Sequence, residues 1–255
     1  VVVGDGNTVI HDLSADKTEK DVFFDAGDRL RQVRNEINLK SSEFVEELGF
    51  SSEKKYLAIE KQDDEAPLSL LKKTQELTGI SLEWLKHGKP PRYKIGAIYL
   101  HPVEAALQVC AKLKPQEYFF TLETKGLHVG IVAQTGKYRY QALETGINLN
   151  FWAWAEQPHW AVLAFYKFLK AWSESWHDIY GMIINPSDDK KLYKGEIHFL
   201  SIEFQRNVNL VYDILDIDES RLMVSSYSRV YGGNWMHKVH DTFKAYLKRD
   251  AENKG

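Results

Sequence analysis

The sequence predicts an all-α domain of five short helices followed by an α+β domain, a mixed or antiparallel sheet with helices packed on it. Residues 25–88 hold five helical patterns, with a glycine turn between the second and third. The KPPRYK stretch between Gly88 and Ile95 is stiff and basic and makes a linker. Beyond it, strand-like alternation is interleaved with longer helical patterns. These observations divide the chain into a mobile arm at 1–20, a helical domain at 21–89, a linker at 90–95 and an α+β domain at 96–255.

In the first pattern, DAGDRLRQVRNEIN, Leu30, Val33 and Ile37 share one stripe while Arg29, Arg31 and Arg34 take other faces, which predicts a buried side and a basic exposed side. The second, SSEFVEELG, starts on a Ser41 cap, buries Phe44, Val45 and Leu48, and stops at Gly49. The third, SSEKKYLAIEK, caps on Ser51 and buries Tyr56 and Ile59, leaving Ser52, Glu53, Lys54, Lys55, Ala58 and Lys61 outside. Pro67 opens the fourth, since proline suits a first-turn position whose N–H lacks a helical partner, and Gly79 ends it. The fifth runs from a Ser81 cap through Trp84 and Leu85 to Gly88.

The second half predicts a helix at PVEAALQVCAKLK, strands at EYFFTLET, GLHVGIVA, KYRYQALE and INLNFWAWA, and a long helix over PHWAVLAFYKFLKAWSESWHDIY. Strands are expected again at EIHFLSIEF, VNLVYDILDI and RLMVSSYSRVY. Gly232-Gly233 then breaks the run before a closing helix, NWMHKVHDTFKAYLKRDAE.

From Arg29-Leu30-Arg31 through Phe44-Val45, Leu48-Gly49, Tyr56, Ile59-Glu60 and Trp84-Leu85 to Gly88, the chain resembles the lambda-repressor-like, Xre-type helix-turn-helix family, over about a quarter of its length. The resemblance implies a sequence-specific regulator of bacterial or phage type, most simply a repressor. It would bind a two-fold related site on double-stranded DNA as a homodimer, with two recognition helices in successive major grooves about 34 Å apart. It assigns Lys40, Ser41 and Ser42 to phosphate contacts, Ser52, Glu53, Lys54, Lys55 and Ala58 to base edges or backbone, and Lys61 to phosphate. The part following such a domain commonly dimerises or senses a small-molecule or protein effector. The alternative is a protein-interaction module, an antitoxin or phage-regulatory adaptor whose second half binds a protein partner.

Charge favours that alternative mildly: residues 1–92 carry 14 Lys and Arg against 18 Asp and Glu, where phosphate-binding domains are commonly basic. The second half is close to neutral. A single cysteine, Cys110, excludes an internal disulfide framework and fits a cytoplasmic setting. No apolar run reaches the roughly 18–20 residues of a membrane span, and residues 1–21 lack a signal-peptide layout.

Aromatic side chains concentrate at Trp152, Trp154, Trp160, Phe165, Trp172 and Trp176, which suits an ordinary core, a dimer interface or a ligand pocket. On the long helix, Val162, Phe165, Leu169, Trp172 and Trp176 form the wide apolar face. No metal site is expected, because His237-x-x-His240 with Asp241 falls short of three or four convergent ligands and reads as surface histidine. Asp188-Asp189 and Asp216-x-Asp218 read as solvated turns rather than acid–base pairs. Ser201 sits in a strand pattern without an activating lysine, against self-cleavage. No catalytic constellation or cofactor motif stands out, so no enzyme activity is expected.

Overall fold

The computed structural model describes residues 22–23, 25–149, 159–175, 179–203, 205–207, 209–217 and 235–253. The protein is α+β. Strand β1 (Val22–Phe23) leads into helices α1 (Ala26–Glu36), α2 (Ser41–Glu47) and α3 (Glu53–Glu60). Strand β2 (Ala66–Pro67) pairs antiparallel with β1, then α4 (Leu68–Thr78) and α5 (Leu82–His87) follow. Caps set these boundaries. Ser81 Oγ accepts the Trp84 amide, and Gly79 and Gly88 end their helices in the left-handed region at φ 76° and 69°. Ala26, Leu30, Phe44, Tyr56, Ile59, Leu70, Leu71 and Leu85 close over one another as a shared apolar core.

Several starts differ from expectation. Lys40 rather than Ser41 caps α2, its amide donating to Glu43 Oε2 at 2.8 Å. Ser52 rather than Ser51 caps α3, its hydroxyl accepting the Lys55 amide at 3.3 Å. Pro67 caps α4 from an extended conformation, because it is also paired with Val22. The basic side expected for α1 is largely spent inside: Arg29 donates to Leu85 O and Lys86 O, and Arg34 turns inward, leaving Arg31 exposed beside Asp28.

After β3 (Gly96–Ala97) and α6 (Val103–Lys112) come β4 (Glu117–Glu123), β5 (His128–Gly136) and β6 (Arg139–Asn148), an antiparallel meander. Helix α7 (His159–Ser175) crosses over to β7 (Ile179–Ile184), which runs parallel to β4. Helix α8 (Pro186–Tyr193), a 3-10 turn at Phe199–Ser201, β8 (Gln205–Asn207), α9 (Leu210–Leu215) and α10 (Trp235–Glu252) complete the described elements. The mixed sheet has the order β3-β6-β5-β4-β7-β8. Central β4 is buried on both faces, as a strand covered on two sides must be. Tyr118, Phe120 and Leu122 face a core built with Phe165, Phe168, Leu169 and Trp172 of α7 and with apolar residues of α6, α9 and α10. Phe119 points to a second core with Val132, Met182, Leu192 and Phe199.

The structure corrects several expected elements. KYRYQALE and the start of INLNFWAWA form one strand, with Gly146 at φ 68° inside it; the FWAWA part lies outside the described residues, as does RLMVSSYSRVY. Ile179 and Tyr180 open strand β7 rather than ending the long helix. VNLVYDILDI contains helix α9, because Leu210, Val211 and Ile214 bury one helical stripe despite their β-branched neighbours. EIHFLSIEF contains the 3-10 turn, started by the His198 side chain accepting the Leu200 amide, so Ser201 is not on a strand. Asp188 and Asp189 lie on α8, capped by Asn185. His240 is buried and bonded to Asp213 O at 2.8 Å rather than exposed.

Under α8, buried Asp189 holds His128 Nδ1 at 3.1 Å, and Thr121 Oγ1 meets Tyr193 OH at 2.7 Å. Tyr193 OH occupies the space a Cβ at Gly130 would take, only 1.7 Å away, so glycine is required there. Burial lowers the His128 pKa, but the hydrogen bond and charge of Asp189, with Glu144 and Glu123 behind it, outweigh burial and leave it raised. A raised histidine contributes stability that is full below its unfolded value and lost as pH rises through its folded value. An Asp189→Asn variant is therefore expected to move the His128 titration downward, read from its imidazole proton shifts.

His198 has the opposite sign. Burial first, then nearby Arg92, depress its pKa to about 4 against the raising effect of its bond to Tyr138 O. Its contribution is present above the unfolded value near 6.5 and lost as pH falls toward 4, about 3 kcal/mol in all. Urea unfolding between pH 7 and pH 4 should show that loss, with a shallower acid dependence in His198→Gln.

Candidate nucleic-acid interface

The expected DNA-facing residues lie on α2, α3 and their flanks. Lys40, Ser42, Glu53, Lys54, Lys55 and Lys61 are exposed, while Ser41, Ser52 and Ala58 are half-buried. Ser41, freed from capping, donates its hydroxyl to Glu53 Oε1 at 2.5 Å, tying the N-terminal ends of α2 and α3 together. That contact brings Lys40, Ser41 and Ser42 alongside Ser52, Glu53, Lys54 and Lys55. Lys61 caps the far end of α3.

Beneath this surface, Arg34 of α1 grips Glu60 at the end of α3 with both Nε and Nη2, at 2.7 and 3.0 Å, and donates Nη1 to Leu39 O at 3.0 Å. Only 4% of the Glu60 side chain is exposed. The hydrogen bond to Glu60 raises Arg34 above its ordinary value, and burial beside that carboxylate pushes the Tyr56 hydroxyl strongly upward. A planar guanidinium on a carboxylate fixes distance and angle together, so the pair sets where α3 lies against α1. Sequence reading missed it because Arg34 looked like a surface cation. A glutamate on an otherwise apolar stripe, Tyr56, Ile59 and Glu60, was the available signal.

The acids around the surface are partly neutralised within the fold. Glu47 of α2 pairs with Lys137 from the β5–β6 hairpin, Glu36 pairs with Arg92, and Glu43 accepts a backbone amide. Lys40, Lys54, Lys55 and Lys61 have no ion-pair partner among the described residues. Glu46 and Glu53 remain on the same side without a cationic partner.

Of the aromatic group, Phe165 and Trp172 lie in the sheet–helix core, Trp172 stacked on Phe168 and edge-on to Tyr118. Phe168 belongs to the same buried face and was missing from the expected stripe. Trp152, Trp154 and Trp176 lie outside the described residues, as does the Trp160 side chain. No cluster of three or more metal-ligating side chains occurs among the described residues, and no described helix is long and apolar enough to cross a membrane. No protein-family model, curated protein or solved structure matches the chain.

Breaking the Arg34–Glu60 pair leaves one charge buried alone, so Glu60→Ala should destabilise the helical unit by roughly 3–5 kcal/mol. Joint replacement, Arg34→Met with Glu60→Leu, should recover most of that loss in denaturant unfolding, because it removes both charges.

Proposed function

We propose that the protein is a sequence-specific regulator of double-stranded DNA, a repressor acting as a homodimer, with α3 as its recognition helix and α2 seated on the phosphate backbone. The Ser41–Glu53 bond carries this reading, because it turns two helix N-termini and their free cations into one surface. Lys54 and Lys55, both exposed, would reach phosphates or guanine edges, and exposed Lys40 and Ser42 would meet the backbone alongside α2. Helix N-termini favour phosphate through their unpaired amides, although Glu53 opposes that attraction unless it accepts from a cytosine amino group. The sheet-bearing half is assigned to assembly or effector sensing.

The excess of acids over bases in residues 1–92 favours one other reading, in which the chain is an interaction module for a protein partner and DNA contact is secondary. Selection of random duplexes by the purified full-length protein, at a fixed and stated salt concentration, separates the two. An enriched palindrome is expected under the first reading. An empty selection together with a stoichiometric copurifying protein would support the second. For the selected site, Lys54→Ala with Lys55→Ala should abolish specific binding without changing the oligomeric state seen by light scattering. Unchanged affinity would remove α3 from the interface.

A further inference from the structure

We infer that the cleft between the helical unit and the β5–β6 hairpin binds a small, multiply charged anion, a phosphate or polycarboxylate compound, and that the hairpin transmits its occupancy to α2. The cleft, of about 350 Å³, is lined by Gln75, Gly79 and Ser81 from the α4–α5 corner, Lys94 from the connecting segment, and Arg139 and Gln141 from β6. That volume lies at the lower end of small-molecule sites.

Its charge is one-sided. No acidic residue lines it, and neither Lys94 nor Arg139 has an ion-pair partner among the described residues. Arg92 and Lys137, beside the lining segments, are engaged on Glu36 and Glu47. The Arg139 stem lies against the α4 C-cap, its Cγ 3.3 Å from where a Cβ at Gly79 would stand, which steadies the guanidinium. Two unpaired cations in a partly enclosed space attract each other's counter-ion more strongly than in open water, and the amides of Gln75 and Gln141 add neutral hydrogen bonds. A doubly charged anion satisfies both cations; a singly charged one leaves one unmatched.

Three consecutive hairpin residues give the coupling. Lys137 pairs with Glu47 of α2, Tyr138 packs into the helical core, and Arg139 faces the cleft. An anion that draws Arg139 and Lys94 together therefore acts on the same turn that holds α2. This second half rests on the DNA-binding reading of α2 and α3; the anion site does not.

Isothermal titration of the full-length protein, with inorganic pyrophosphate in one arm and citrate in the other at constant ionic strength, tests the site. One-to-one saturable binding of at least one probe is expected, and the stronger arm tells phosphate from carboxylate. Lys94→Gln with Arg139→Gln, both at exposed positions, should keep the melting temperature and weaken binding at least tenfold. Absence of saturation with both probes, or full binding by the double variant, overturns the site. So does a double variant that loses DNA affinity when the parent protein binds neither probe, since the two cations then serve DNA phosphates. For the coupling, the probe should change affinity for the selected duplex by at least threefold, and Lys137→Ala should bind the probe yet lose that effect; an equal effect in Lys137→Ala overturns the coupling. Probe binding by a protein that selects no duplex leaves the site standing and refutes the DNA reading instead.

Discussion

The guanidinium of Arg92 is the point on which the arrangement of the two halves depends. Its Nη2 meets Glu36 Oε1 at 2.5 Å at the end of α1, its Nη1 donates to Glu196 O at 2.8 Å, and its plane lies 4.3 Å over Trp84. Only 17% of that side chain is exposed and its Nε is buried without a hydrogen-bond partner, so the bonds from Nη1 and Nη2 and the Trp84 face offset the cost of removing the charge from water. Tyr93 adds a second bond to Glu36 at 2.8 Å, and the amides of Arg92 and Tyr93 both donate to Gly195 O. Gly195 sits at φ 67°, where a Cβ would lie 2.2 Å from Tyr93 O, so no other residue fits. The stretch that reads as a linker by composition works as a brace, with Tyr93 buried among the helices and bridged to Ile80.

Local signals made the helical half readable. Caps and left-handed glycines are written into a few neighbouring residues, and α1 through α5 follow them within a position or two. The sheet half was less legible because its deciding contacts are distant. Short apolar runs such as NLVYDIL satisfy a strand or a helix equally until neighbours choose, and here α7, α10 and β7 select the helix. Asp189 looked like a turn residue because its partner, His128, is 61 positions away. Of the surface assigned to DNA, residue types and the exposure of the lysines were legible, whereas the partial burial of Ser52 and Ala58, the Ser41–Glu53 bond and the Arg34–Glu60 pair beneath it were not.

Net charge alone does not describe how charge is distributed over the helical half. Residues 1–92 keep an excess of acids even with Glu36, Glu47 and Glu60 held by Arg92, Lys137 and Arg34, because each pair uses a base as well as an acid. Surface potential follows the unpaired charges and their positions more closely than the total, because paired charges cancel within a few ångströms and salt screens the remainder over about 8–10 Å. The sheet half contributes to that pattern directly, since Lys137 neutralises a glutamate on α2.

The brace also has a direction in time. Arg92 and its acceptor at Glu196 are 104 positions apart, an interval of about 5–20 s at ordinary rates of ribosomal synthesis. Throughout that interval Arg92 has Glu36 within the finished helices but neither Gly195 nor Glu196, whereas Lys137 arrives earlier on the β5–β6 hairpin, whose pairing does not involve β7. The five helices can therefore assemble while Arg92 still lacks its later acceptors, and the brace closes only once Gly195 and Glu196 have been made. The joint between the two halves is in this sense finished by the half of the chain made after it.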